Sequence, residues 1–176
     1  KGLLVLCFVG TLGVSVAFNS TFFPVVFGAE SRDDFLLGKV SNMSSVNWVN
    51  ENLPNDAKVL VMGLSAWYYL DRDWLVGDAA YQGKLEYHDM NTPDHLNSKL
   101  IELEVTHILV QNVENRDAPF LGLAEHIGGS HYRERPLQEL LLELKSGPPS
   151  TPRDFEIRPF LLLAGLEADG HLEVIH

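Results

Sequence analysis

The sequence has little cysteine and little positive charge. One cysteine among 176 residues can form neither an internal disulfide nor a cysteine zinc cluster. Lys and Arg number 13 against 24 Asp and Glu, which gives a formal net charge of -11. Because nucleic-acid affinity comes mostly from basic side chains that neutralise phosphates, we do not expect DNA or RNA as a partner.

Charge of either sign is missing from the amino-terminal segment. After Lys1 the first charged residue is Glu30, and residues 2–18, GLLVLCFVGTLGVSVAF, are apolar apart from Thr11, Ser15 and three glycines. As a helix this segment would rise about 26 Å, slightly less than the roughly 30 Å of a hydrocarbon core. The pattern therefore predicts one transmembrane helix, with membrane lipid as its surroundings.

Two other interpretations of this segment remain open, a cleaved secretory signal and a buried core helix. Residues 18–20 form no small-x-small cleavage site. Glycines destabilise a soluble helix but are common in membrane helices, and here Gly10, Gly13 and Ser15 would let neighbouring helices approach closely. We therefore expect neighbouring transmembrane helices or membrane-protein subunits as partners, and read the chain as the tail of a longer protein or as a processed subunit.

The charge distribution predicts an orientation and a domain organisation. Without Lys1, 12 basic residues remain against 24 acidic ones. The positive-inside rule then places Lys1 in the cytoplasm and the acidic part outside. Residues 19–28 are rich in aromatics around Pro24, which suits either the headgroup zone or a segment packed on the domain. We expect residues 1–28 to form a transmembrane helix and membrane-surface segment, and residues 29–176 a soluble extracytoplasmic α/β domain.

Helices and strands alternate in the predicted soluble part. Ser31 is a helix N-cap with Asp34 three residues later, and Pro54 ends the apolar helical spacing that follows. The Asp169-Gly170 pair is a hairpin signal. The pattern predicts helices at 31–53, 92–103 and 137–144, strands at 58–62, 74–76 and 106–110, a terminal hairpin of strands 158–164 and 171–175, and loops at 115–135 and 146–154.

Strands separated by helices form parallel sheets by crossover connections, and a hairpin can add antiparallel strands at one edge. The predicted fold class is therefore α/β. It is a small Rossmann-like three-layer domain with a mostly parallel sheet and a C-terminal antiparallel hairpin, preceded by the transmembrane helix.

The segment after the first strand is the candidate ligand or partner surface, comprising Gly63, Ser65, Trp67, Tyr68 and Tyr69. A nucleophile elbow needs a glycine where Trp67 stands, and a dinucleotide fingerprint needs more glycines than Gly63 alone. Gly63 fits a tight turn better than a small-anion site. The aromatic residues, with Trp74, fit helix packing better than stacking on a sugar or on lipid headgroups.

No catalytic, cofactor-binding or metal-binding residue is predicted, and no cofactor. His126 and His131 flank a Gly-Gly pair that breaks a helix, and two histidines are too few for a metal site, so a solvated loop is expected. His107 is predicted to be a hydrogen-bonded core histidine. The sequons at Asn19 and Asn42 are read as chance matches.

Several short segments in order resemble one family. They are residues 28–35, 49–54, 57–60 with Gly63, 68–72 and 106–110. Over roughly residues 28–112 they resemble the extracytoplasmic C-terminal region of bacterial GT-C glycosyltransferases of the dolichyl-phosphate-mannose-protein mannosyltransferase type, glycosyltransferase family 39. The resemblance implies a many-helix membrane enzyme that moves a sugar from a polyprenyl-phosphate donor. It places that family's catalytic acids near amino-terminal membrane helices, so no catalytic residue carries over to this chain.

Two functions follow as expectations. In the first, the chain is the membrane-anchored, noncatalytic accessory C-terminal part of a polytopic glycosyltransferase-like protein, with its soluble domain on the periplasmic side of a bacterial cytoplasmic membrane. In the alternative, it is a singly anchored structural or interaction subunit of a larger membrane complex. In both, this part of the chain is not itself the enzyme.

Overall fold

The computed structural model describes residues 2–63, 66–80, 84–110, 119–129, 132, 135–146 and 151–172. The chain divides into two compact units, Lys1–Ser44 and Ser45–His176. The predicted boundary between residues 28 and 29 marks an expected change from membrane to water, whereas the division into units reflects contacts within the chain. The predicted boundary therefore stays a prediction.

The first unit begins with the apolar helix. Helix α1 covers Gly2–Asn19, a 3₁₀ turn covers Ser20–Phe22, and the short α2 covers Phe23–Val26. The window Cys7–Val26 has a mean hydropathy of 1.5, and none of it is buried. Within the described part of the chain, one helix is therefore long and apolar enough to cross a membrane, a property that a signal sequence shares. Its exposure disagrees with the buried-core alternative.

The single helix predicted over residues 31–53 is wrong, because the structure has two helices there. Helix α3 covers Arg32–Lys39, and the Ser31 hydroxyl accepts a hydrogen bond from the Asp34 amide at 3.1 Å, as predicted for the N-cap. Val40 is extended and Asn42 has a φ of 65°. Asparagine tolerates this left-handed conformation, and α4 follows at Met43–Asn52.

The second unit contains a three-stranded parallel sheet, so the predicted strands are confirmed. Strands β1 at Lys58–Met62, β2 at Asp73–Val76 and β3 at His107–Val110 lie in the order β2-β1-β3. In register, Val59 pairs with Trp74 on one side and with His107 on the other. Because β1 is central, Val59 to Met62 are all buried, as the continuous apolar run predicts.

The connections between the strands differ in kind. A 3₁₀ turn at Trp67–Tyr69 lies between β1 and β2. Between β2 and β3 lie a 3₁₀ turn at Tyr87–Asp89 and helix α5 at Pro93–Glu102. The Thr92 hydroxyl accepts a hydrogen bond from the His95 amide at 3.3 Å, which confirms the predicted cap of α5.

The predicted loop at residues 115–135 is wrong in part, because α6 covers Pro119–Gly128. Phe120 and Ala124 are buried at a spacing of four residues, which gives this helix an apolar face toward the core. Helix α7 at Leu137–Lys145 confirms the predicted helix. The second predicted loop, at residues 146–154, is wrong at its end, because a further helix begins at Pro152, and residues 147–150 lie outside the described part of the chain.

The predicted C-terminal hairpin is wrong. Residues expected in its first strand lie inside helix α8 at Pro152–Ala168. Thr151 and Asp154 form a capping box at its start. At its end Gly170 has a φ of 76°, and the His171 amide donates to the Leu166 carbonyl at 2.9 Å. The Asp-Gly pair is thus a helix C-cap of the Schellman type rather than a hairpin turn. Residues 173–176 lie outside the description.

Helix α8 is the centre of the core, which explains why its sequence resembles a strand. Every residue from Ile157 to Leu166 is buried. It packs on α5, α6 and α7. A short apolar run buried on all sides carries no helical periodicity, so pattern alone cannot distinguish it from a buried strand.

Candidate functional site

The carboxyl ends of β1 and β2 meet at one edge of the sheet. Gly63 follows β1 with a φ of 70°, and Gly77 follows β2. A Cβ on Gly77 would lie 2.9 Å from the side chain of Leu60. Glycine at this position therefore lets the backbone approach β1 closely. This approach places the next residue, Asp78, beside Gly63.

The carboxylate of Asp78 closes the turn at Gly63. Its two oxygens accept hydrogen bonds from the Gly63 amide at 3.0 and 3.2 Å. Burial raises the pKa of Asp78, and the Gly63 hydrogen bond opposes that shift. An external anion at Gly63 would meet this carboxylate at short range, so the geometry favours a tight turn over an anion site. Ser65 lies outside the described residues.

The aromatic residues beyond this turn form a continuous cluster, called here the aromatic platform and comprising Trp67, Tyr68, Tyr69 and Trp74. Ring centroids lie 4.0 Å apart for Tyr68 and Tyr69, and 4.3 Å apart for Trp67 and Trp74. Trp67 and Tyr68 meet edge to face at 6.1 Å. Tyr68 is 59% exposed and Trp74 39% exposed. The platform therefore presents ring surface to solvent instead of burying it all against a helix.

Polar side chains fix the backbone of the platform to α4. The Asn50 amide group donates to the Tyr69 carbonyl at 3.0 Å and accepts from the Asp71 amide at 2.8 Å. The Arg72 guanidinium donates to the carbonyls of Asn50 and Leu53, both at 2.8 Å. These contacts satisfy carbonyls at the end of α4 while holding the segment that carries the rings.

A second group of polar side chains surrounds the 3₁₀ turn at Tyr87–Asp89. A shallow cavity of about 270 Å³ opens there, lined by Ala79, Leu85, Glu86, Tyr87, His88, Asp89 and Phe155. The hydroxyl of Tyr87 is buried and has no hydrogen-bond partner among the residues that the structure describes. Burial and the nearby Asp78 charge both raise the pKa of this phenol above its usual range. The hydroxyl is therefore protonated and uncharged at physiological pH.

Arg158 is a buried charge that ties three segments together. It is 2% exposed on α8. Its guanidinium donates to the Met90 carbonyl at 2.9 Å, to the Asn91 side chain at 2.5 Å and to the Leu144 carbonyl at 3.3 Å. Burial lowers the pKa of Arg158, and the Asp89 charge opposes that shift. The contacts are structural, since they satisfy carbonyls at the end of α7 and before α5.

The three histidines singled out in the sequence differ in their surroundings. The ring Nδ1 of His107 lies 2.8 Å from the Thr106 hydroxyl, as expected of a hydrogen-bonded histidine, but the residue is half-buried in β3 rather than buried in the core as predicted. His126 is exposed on α6 rather than in a loop, and His131 lies outside the description. Within the described ranges, no three His, Cys, Asp or Glu side chains are grouped to hold a metal ion.

Three residues of this region were missed by sequence reasoning, namely Asp78, Tyr87 and Arg158. Asp78 had a signal, because it follows a predicted strand just as Gly63 does and carboxyl ends of parallel strands share an edge. The sequence carries no such signal for Tyr87 and Arg158, since both are buried only because α8 is a helix.

Comparisons with family models, with curated proteins and with solved structures find no match for this chain.

Proposed function

We propose that this chain is a membrane-anchored, noncatalytic extracytoplasmic domain, the accessory C-terminal part of a polytopic glycosyltransferase-like protein that uses a polyprenyl-phosphate sugar donor. The observation that carries the anchor is the Cys7–Val26 window, which is apolar, helical in most of its length and has no part buried inside the structure. Exposing so much apolar surface to water is unfavourable at roughly 25 cal/mol per Å², and lipid removes that cost.

The aromatic residues after α1 support a membrane boundary. Phe22, Phe23 and Phe27 are 45%, 39% and 78% exposed. Rings are favoured in the headgroup zone, where they meet apolar and wet surroundings together. With Lys1 as the cation on one side and the acidic remainder on the other, the domain faces the periplasm of a bacterial cytoplasmic membrane.

The α/β sheet supports the glycosyltransferase part of the proposal through the resemblance given above. Two of its segments, at 57–60 and 106–110, supply the paired strands β1 and β3. We propose that the full domain completes a Rossmann-like three-layer arrangement around this sheet. Its noncatalytic role is supported by the carboxyl edge of the sheet, where the Gly63 amide is bonded to the chain's own Asp78.

A second candidate is a singly anchored structural or interaction subunit of a larger membrane complex. It is favoured by Gly10 and Gly13 of α1, around which an added Cβ would meet nothing within 4 Å. A helix face of this kind lets another membrane helix approach closely. The size of the full gene product, measured with an antibody against the domain, separates one polytopic chain from a small subunit.

The sequons provide a test of orientation. The chain is translated with an initiator methionine in the presence of endoplasmic-reticulum microsomes, whose lumen corresponds to the extracytoplasmic side. We expect one glycan, on Asn42, because Asn19 lies inside the Cys7–Val26 window. Asn42→Gln should abolish it and Asn19→Gln should not. A membrane-bound chain with no glycan would contradict the extracytoplasmic placement.

A further inference from the structure

We draw no further inference here: the strongest candidate, the partly exposed aromatic platform of Trp67, Tyr68, Tyr69 and Trp74 beyond the Gly63 turn, carries nothing because no feature of the described residues shows what covers it.

Discussion

At the scale of single residues, the stability of the second unit depends on how buried polar groups are satisfied. Arg158 satisfies carbonyls that lie on separate segments, whereas Arg135 bonds Glu139 and Glu143 near the surface at 2.8 and 2.6 Å. A buried carbonyl left without a donor costs about 1–3 kcal/mol, and an exposed ion pair contributes about 0–1 kcal/mol.

We therefore predict that Arg158→Met lowers the free energy of unfolding by about 2–5 kcal/mol, and that Arg135→Met lowers it much less. Urea denaturation followed by circular dichroism measures both. Equal losses for the two variants would show that Arg158 has no special structural role.

The environment of Asp78 makes the stability of the fold depend on pH. Because burial raises the pKa of Asp78, the folded state binds the proton more tightly than the unfolded state does. The stability that this group contributes is present in acid, below its unfolded pKa, and is lost as the pH rises through the folded pKa. Asparagine can keep an acceptor for the Gly63 amide without the buried charge.

We predict that Asp78→Asn is more stable than wild type at neutral pH and that the gain disappears near about pH 4. Urea midpoints at the two pH values measure it, with the exposed Asp56→Asn as a control for losing one charge. A loss of stability of the same size at both pH values would mean that the carboxylate is favourable in its site.

At the scale of elements, the contact between α5 and α8 limits what Gly165 can become. A Cβ there would clash with Pro93 and would lie 3.3 Å from Leu141. Overpacking of a core costs about 1–3 kcal/mol, which at this close a contact outweighs the roughly 1 kcal/mol that alanine gains over glycine in a helix.

We predict that Gly165→Ala lowers the free energy of unfolding, and that Pro93→Ala restores part of the loss by removing the atoms that clash. A double-mutant cycle in urea measures the coupling. Additive effects of the two substitutions would contradict the proposed clash.

The elements differ in how well they can be predicted from the sequence. Some signals depend only on residues close in sequence, as do the caps at Ser31 and Thr92 and the apolar run of β1. The caps and strands that they predict are confirmed. The Asp169-Gly170 pair fits two local geometries, a hairpin turn and a helix C-cap, and burial of α8 on all sides decides between them. The Gly63 turn was predictable from its strand, but its partner Asp78 depends on strand register.

At the scale of the whole molecule, the proposed function depends on where the apolar helix lies. Leu12 is 50% exposed within the Cys7–Val26 window, and Leu37 is 49% exposed on α3 outside it. The two leucines are thus equally accessible but differ in whether lipid is expected around them. An arginine at the centre of a membrane helix costs about 2.5–3.5 kcal/mol on insertion scales.

The most direct measurement is membrane flotation of the full chain after alkaline extraction, for wild type, Leu12→Arg and Leu37→Arg. We predict that wild type and Leu37→Arg float with the membranes while a much larger part of Leu12→Arg stays in the soluble fraction. Equal retention of Leu12→Arg, or release of the wild-type chain, would contradict the membrane anchor.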